Sequence, residues 1–336
     1  MTINKMTVLA LAGACLVVGG AFADDLDDNT FEMPREVVSA ATAFQSYMKD
    51  AASIGQFPDS ASVAQSVRRG VSYQPAQLEE GMIAYGAITA LQDEGFVDGV
   101  ERAAGRGEER QAFAERLVED PFEATRIEGA AGAARRIEAA LSARAAPLVS
   151  AGAAVKSAAY SVQHQAWSRE MVEDAQGRLA EVKRLSASAF QPSEEDDQAL
   201  VRTVAEMNPQ VAVNDAPAGI TALEAKALAL AAEAVLGRAH GSDRARLSPL
   251  LTETSSAQCL RMAKLNLYQC MAVAGPQYED IFCLGQHAMA DTGQCVVYAA
   301  HGRGQSQVVA SAGQPGNRAG YIPLASHHSF RIDPGE

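Results

Sequence analysis

The sequence predicts a mainly α protein, in which an Ala-rich helical bundle is followed by a smaller helical hairpin region stapled by two disulfides. About one residue in five is alanine, and aromatic residues make up only 6% of the 336 residues. This composition favours helices over an all-β fold. Apolar residues make up 48% of the chain, which is enough for a hydrophobic core. Four of the five cysteines fall between Cys259 and Cys295 and indicate the stapled region.

Residues 1–23 have the features of an export signal peptide. Lys5 precedes an apolar run over residues 6–18, and the small residues at 21 and 23 suit a signal peptidase. The run is shorter than the roughly 20 apolar residues of a membrane span. We therefore expect export to the periplasm or the exterior, with no transmembrane span after the signal peptide. Two alternatives stay open, namely an uncleaved anchor and lipidation at Cys15, which follows small residues as in a lipobox.

The region 34–185 carries the pattern of a helical bundle, after an acidic lead-in at 24–33. Proline suits the first turn of a helix, and glycine and proline mark helix ends. These rules predict three helices, at 34–53, 60–69 and 75–92. Glycines interrupt the next stretch, at Gly95, Gly99, Gly105 and Gly107. From 122 to 185 the pattern is helical and broken at Pro147, which predicts two long antiparallel helices or one kinked helix.

Small residues are concentrated in this long helical region, as GAAGAA at 129–134 and AGAA at 151–154. Small side chains let helix axes approach closely, so we expect tight packing within the bundle. The alternative is a surface patch that a partner helix or a membrane covers. Charges of both signs along these helices favour a solvated face over binding to anionic lipid.

A linker and irregular segment at 186–220 separates the bundle from the second region, 221–300. Residues 186–197 combine small residues, a proline and an acidic cluster, and 208–219 holds two further prolines. Thr221 and Glu224 form a capping box, which begins a helix that ends near Gly237. Another helix is predicted at 256–274. The last part, 301–336, is expected to be a flexible tail after a weak hairpin around 301–304.

Helix geometry restricts how the four cysteines of the second region pair. Cys259 and Cys270 share one face of a predicted helix but lie about 16 Å apart along its axis. A disulfide tolerates only about 7 Å between Cα atoms, so these two do not pair with each other. A chain reversal at residues 275–276 brings Cys270 level with Cys283 and Cys259 level with Cys295. We therefore predict the disulfides Cys270–Cys283 and Cys259–Cys295.

The spacings of these cysteines are CX10C and CX11C, separated by the reversal. Over about 40 residues, this arrangement resembles the helical-hairpin domains that are built on two paired CX9C motifs. Gly293 is expected to interrupt the helix of the second pair. The resemblance concerns architecture and implies no function.

Two motifs near the last cysteines have a possible chemical meaning. Cys283, His287 and Asp291 recur at four-residue spacing on a predicted helix and are all zinc-ligand types. The simpler interpretation is a disulfide cysteine beside an ordinary histidine, and we assign no metal ligand. Asp291, Thr292 and Gly293 spell the DTG of aspartic proteases, but the surrounding pattern is helical, whereas those proteases are all-β.

For the remaining motifs we favour a structural role over a binding or catalytic one. Tyr160, His164 and Trp167 would form one helical stripe, either an aromatic binding groove or, as we prefer, a core or inter-helix stripe. Residues 301–304 are similar to the glycine-rich oxyanion loops of lipases, but the G-x-S-x-G nucleophile motif is missing. His327 and His328 lie in the expected tail. No catalytic, cofactor-binding or metal-binding residue is assigned.

Net charge and motif content restrict the function classes. A formal charge of −13 argues against nucleic-acid binding, which needs a basic surface. We expect an exported, non-catalytic cell-envelope protein with a scaffolding or protein-binding role and envelope protein partners. One alternative is a periplasmic carrier or chaperone for an apolar ligand or client. Another is an envelope hydrolase that uses carboxylates or His287 in a cleft.

Overall fold

A computed structural model describes residues 30–206, 219–302 and 329–333. The fold of these residues is mainly α, as predicted. The helices are α1 Arg35–Ala52, α2 Ser60–Val71, α3 Pro75–Ala90, α4 Glu94–Ala104, α5 Glu108–Glu119, α6 Ala130–Val162, α7 Ala175–Ala187, α8 Glu194–Glu206, α9 Ala222–Val235, α10 Arg244–Leu247, α11 Thr254–Val273, α12 Gln277–Cys283 and α13 Asp291–His301. A π-helix, Leu284–Ala290, joins α12 to α13. Short 3-10 helices lie at Pro121–Arg126, Trp167–Arg169, Gly241–Asp243 and Ser248–Leu250.

The centre of the fold is formed by α3, which packs against α1, α6 and α9. Nearly every residue of α9 is buried, and its alanines leave room for neighbouring helices on all sides. Gly81 of α3 lies so close to α1 that a Cβ there would stand 2.3 Å from the carbonyl oxygen of Ala40. The hydrophobic cluster continues from these helices into α11 and α13. Residues 34–185 and 221–300 therefore share one core.

The AGAA segment of α6 packs as the sequence predicts, through backbone contact with the π-helix. A Cβ on Gly152 would lie 2.5 Å from the backbone nitrogen of Ala290. A Cβ on Gly285 would lie 2.5 Å from the backbone nitrogen of Lys156. Only glycine fits this approach, so the two helices are in contact at the level of their main chains.

The prediction that the helix breaks at Pro147 is wrong, and the breaks lie elsewhere. Helix α6 continues through Pro147, because buried residues on either side, Ala145 and Leu148, keep it packed on its neighbours. That packing outweighs the cost of about 3 kcal/mol that an interior proline carries. The chain instead breaks at Gly129, whose φ of 85° is the left-handed conformation that glycine favours, and between α6 and α7.

The prediction of a linker is wrong for its acidic part. Residues 194–197 form the first turn of α8. Carboxylates are stabilised at a helix N-terminus by the helix dipole. Asp197 is fully buried and accepts hydrogen bonds from the hydroxyls of Ser39 at 2.8 Å and Thr42 at 2.6 Å. Helix α8 is thereby attached to α1. Residues 207–218, which include most of the second irregular stretch, lie outside the described residues.

Two strands replace parts of the expected lead-in and tail. Strand β1, Thr30–Pro34, pairs in parallel with strand β2, Ser329–Asp333, and Phe31 lies opposite Phe330. Met33 is completely buried, so it joins the core. Helix α13 continues to His301, and residues 303 and 304 of the predicted hairpin lie outside the described residues. Residues 1–29, 303–328 and 334–336, including the signal peptide and His327 and His328, lie outside the described residues.

The C-terminal helical hairpin has the predicted reversal and the predicted cysteine pairs. Disulfides join Cys259 to Cys295 and Cys270 to Cys283, each with Cα atoms 5.6 Å apart. Gly293 does not interrupt the second arm. It lies inside α13, where a Cβ would come within 2.8 Å of the Val149 side chain on α6. Glycine is needed there for close helix packing.

The turn between α11 and α12 is held by one arginine. The Arg178 guanidinium donates to the carbonyl oxygens of Met271 and Ala274 at the end of α11, at 2.5 and 2.9 Å. It also donates to the Asp280 carboxylate on α12, at 2.5 Å. Within the described parts of the chain, no helix is both long enough and apolar enough to cross a bilayer.

Candidate functional site

An open groove of about 670 Å³ lies between the start of α9, the first half of α11 and one face of α13. Its volume falls in the usual range of roughly 300–1,000 Å³ for ligand sites. The apolar part of its lining includes Leu223, Cys259, Met262, Ala263, Cys295, Tyr298 and Ala299. The polar part includes Thr221, Glu253, Ser255, Ser256, Gln258, Asn266, Asp291 and Gln294. We refer to it as the hairpin groove.

Local sequence rules fix the walls of the hairpin groove. Glu253 is the N-cap of α11, and its carboxylate accepts the backbone N–H groups of Ser255 and Ser256. Thr221 caps α9, and its hydroxyl also donates to the carbonyl oxygen of Ala299 on α13, at 3.0 Å. The Cys259–Cys295 disulfide joins the other two helices directly. The groove is therefore held by covalent and capping contacts.

The described lining of the hairpin groove has two charged side chains, Glu253 and Asp291, and both are acidic. Burial acts to raise the pKa of Glu253, but hydrogen bonds from Ser255 and Ser256 hold it below its usual value. Burial also acts to raise the pKa of Asp291, but hydrogen bonds from His287 and Gln286 hold it below its usual value. The lowered pKa values favour the ionised form of both carboxylates.

The hairpin groove also presents apolar surface to solvent. Met262 lines it and is 47% exposed. The amide nitrogen of Gln294, another lining residue, is buried and has no hydrogen-bond partner among the described residues. The groove thus combines an apolar wall with two carboxylates.

The three residues of the possible zinc motif do not form a metal site. The Cys283 sulfur is bonded to Cys270, while His287 Nδ1 and Asp291 Oδ2 lie 2.7 Å apart. No group of three metal-ligand side chains is found in the described ranges. The DTG tripeptide begins α13, and its Asp291 is paired with an imidazole, whereas an aspartic protease needs a second aspartate. The Thr292 hydroxyl is hydrogen-bonded to Tyr73, at 2.6 Å.

The expected stripe of Tyr160, His164 and Trp167 is wrong, because α6 ends at Val162. The Ser168 hydroxyl donates to the Val162 carbonyl at this end. Tyr160 is half exposed and meets the ring of Phe282 edge-on, with ring centroids 6.1 Å apart. His164 lies in the following turn and Trp167 in a 3-10 helix.

Sequence reasoning missed a cluster of three polar side chains in contact where α13 ends against α6. The hydroxyl of Ser142 lies 2.8 Å from Nε2 of His301. Nδ1 of the same imidazole lies 2.7 Å from the carboxylate of Glu138. Glu138 and Ser142 are one helical turn apart, and this spacing is visible in the sequence. The position of His301 between them depends on the packing of distant helices.

A buried lysine was also missed. Lys264 of α11 is 2% exposed, and its ammonium nitrogen donates to the carbonyl oxygen of Val71 at 2.7 Å and to the Ser186 hydroxyl at 2.9 Å. It lies 3.4 Å from the centre of the Tyr73 ring. Burial lowers the pKa of Lys264 well below its ordinary value.

Comparisons with protein families, with curated proteins and with solved structures find no match for this chain.

Proposed function

We propose that the protein is exported and that it binds a segment of a partner protein in the hairpin groove. The observation that carries this proposal is the lining formed by the described residues, which includes exposed Met262 and two carboxylates but no lysine or arginine. Such a surface is complementary to a polypeptide segment that places an apolar side chain next to lysine or arginine. Charge complementarity of this kind directs partner choice and speeds association.

Export is supported by the two disulfides of the hairpin and by the signal-peptide features of residues 1–23. Disulfides persist in oxidising compartments such as the periplasm and are rare in the cytosol. Because both bridges join α11 to the opposite arm of the hairpin, they hold the groove in shape before a partner arrives. A preformed groove lowers the entropic cost of binding.

A polypeptide fits the hairpin groove because its lining contains both polar and apolar groups. Exposed Met262 can contact an apolar side chain of such a segment. Glu253 and Asp291, on different helices, can each attract a basic side chain. An extended segment brings backbone and alternate side chains to one surface in this way.

Methyl NMR of the protein labelled at its methionines tests the proposal. The probe is a short peptide of alternating leucine and lysine, compared with one of leucine and glutamate. We expect the Met262 signal to shift with the basic peptide, while Met171, which is 66% exposed and outside the groove, serves as an internal control.

Two variants separate groove binding from a general attraction of charges. Asp291→Asn should weaken binding of the basic peptide several-fold, while Glu194→Gln, which removes a charge at the start of α8, should leave it unchanged. Equal shifts with both peptides, or equal effects of the two variants, would contradict the proposal. If an uncharged apolar probe shifts Met262 as strongly, the carrier alternative is favoured instead.

A further inference from the structure

We propose that Ser142 is a nucleophile, activated by His301 and Glu138, that accepts an acyl group from activated carboxylic esters. The Ser142 hydroxyl and His301 Nε2 are 2.8 Å apart, and His301 Nδ1 and the Glu138 carboxylate are 2.7 Å apart. This is the connectivity of a serine, a general base and an orienting acid. The three residues lie beside the hairpin groove, and none of them lines it.

The acidic partner assigns a role to each nitrogen of His301. A carboxylate can only accept, so the tautomer that suits the 2.7 Å contact with Glu138 has its hydrogen on Nδ1. Nε2 is then the acceptor in the neutral imidazole and faces the Ser142 hydroxyl. The His301 side chain is 13% exposed, and the Glu138 side chain is 32% exposed. The base is therefore mostly shielded from water, while Ser142 is partly open to solvent.

A second carboxyl group faces His301 from α9. Burial raises the pKa of Glu224 to about 7, and an attraction to His301 acts in the opposite direction. Glu138 on α6 and ionised Glu224 would both stabilise the imidazolium that forms when His301 takes a proton. This is the charge that an acid partner stabilises in a nucleophile–base pair.

The reaction balances without a cofactor. The Ser142 oxygen attacks the ester carbonyl carbon while its proton moves to His301 Nε2. The bond to the leaving alcohol then breaks, and the alcohol departs with that proton. Water then attacks the acyl-serine while His301 takes its proton, and His301 returns that proton to the Ser142 oxygen as the acid leaves. The sum is ester plus water giving acid plus alcohol.

The position of Ser142 inside α6 restricts the substrates. Backbone N–H groups in a helix interior donate to carbonyls four residues earlier, so α6 offers none to an oxyanion. An oxyanion donor contributes about 10²–10³ in rate. Esters with good leaving groups, such as aryl esters, depend least on this help, and they are the substrate class we assign.

Labelling with a fluorophosphonate tests the nucleophile, because it bonds to an activated serine with loss of fluoride. We expect one label, located at Ser142 by peptide mass spectrometry and absent in Ser142→Ala. Ser150→Ala removes an exposed serine of the same helix and should leave labelling unchanged. His301→Gln should slow labelling about 100-fold, which is the usual range for loss of a general base.

Hydrolysis of an aryl acetate tests the orienting role of Glu138. Glu138→Gln should lower kcat and leave KM unchanged, and circular dichroism verifies that each variant is folded. A label that persists in Ser142→Ala, no label at all in the folded wild type, or equal rates in His301→Gln would overturn the proposal. Peptide binding in the hairpin groove does not depend on these residues, so the two proposals fail separately.

Discussion

Replacing Lys264 with methionine should change how the stability of the protein depends on pH. The substitution keeps the apolar stem and removes an amine that is enclosed by Val71, Ser186 and Tyr73. A buried amine whose hydrogen bonds go to neutral oxygens gains no counter-charge, so burial disfavours its protonated form. This cause lowers the pKa of Lys264 well below its ordinary value of 10.5 in the folded protein.

The sign of the effect follows from proton counting. Between the lowered pKa of the folded state and the ordinary pKa of the unfolded state, the unfolded chain holds the extra proton. The free energy of unfolding therefore rises with pH in this window. The full slope is about 1.4 kcal/mol per pH unit for one proton. Lys264→Met should lose this contribution and give a flatter pH dependence than the wild type.

Urea unfolding at a series of pH values from about 7 to about 9 measures the difference directly. Disulfides are intact in both proteins, and tyrosine ionisation lies above this range because burial raises the pKa of Tyr47 and Tyr73. Lys49→Met, at an exposed position of α1, is the matched control and should follow the wild type. Parallel stability curves for the wild type and Lys264→Met would refute the reasoning and would mean that Lys264 is charged in the folded protein.

The remaining predictions concern the hairpin turn, a close helix contact and the disulfides. Arg178→Met should destabilise the protein by about 3–5 kcal/mol in urea unfolding, since it leaves Asp280 buried without its counter-charge; a loss below about 1 kcal/mol would contradict this. Gly152→Ala should cost about 1–3 kcal/mol, because its Cβ would meet backbone atoms at 2.5 Å; Gly55→Ala, with open space around it, is the control. Reduction should cost about 2–4 kcal/mol for each bridge, measured by thermal unfolding with and without reductant.

Much of the C-terminal hairpin could be predicted because its determinants are local. The positions of Cys259 and Cys270 on one helix, and a reversal at Gly275 and Pro276, fix the pairing by helix geometry alone. The capping box at Thr221 and Glu224 is likewise formed as the sequence indicates, with both reciprocal hydrogen bonds present. Signals that act within one or two turns need no knowledge of the rest of the fold.

Elements that depend on tertiary contacts were placed less well. Pro147 predicts a helix break, yet α6 continues because the buried residues around Pro147 pack against other helices. The acidic residues at 194–197 read as a solvated linker, yet Asp197 is buried against two hydroxyls of α1. In both cases a favourable contact far along the chain outweighs the local preference, and that contact is not visible in the sequence.

The candidate site shows the same division. Asp291 and His287 come together because they are four residues apart on one helical segment, and the sequence predicts that they can. His301 reaches Ser142 across 159 positions, and Gly293 contributes by letting α13 pack closely on α6. Gly293 was expected to interrupt the second arm of the hairpin, and instead it lets that arm dock. A bulkier residue there would move His301 away from Ser142 and Glu138, so the geometry of this cluster depends on the helix packing that the sequence does not specify locally.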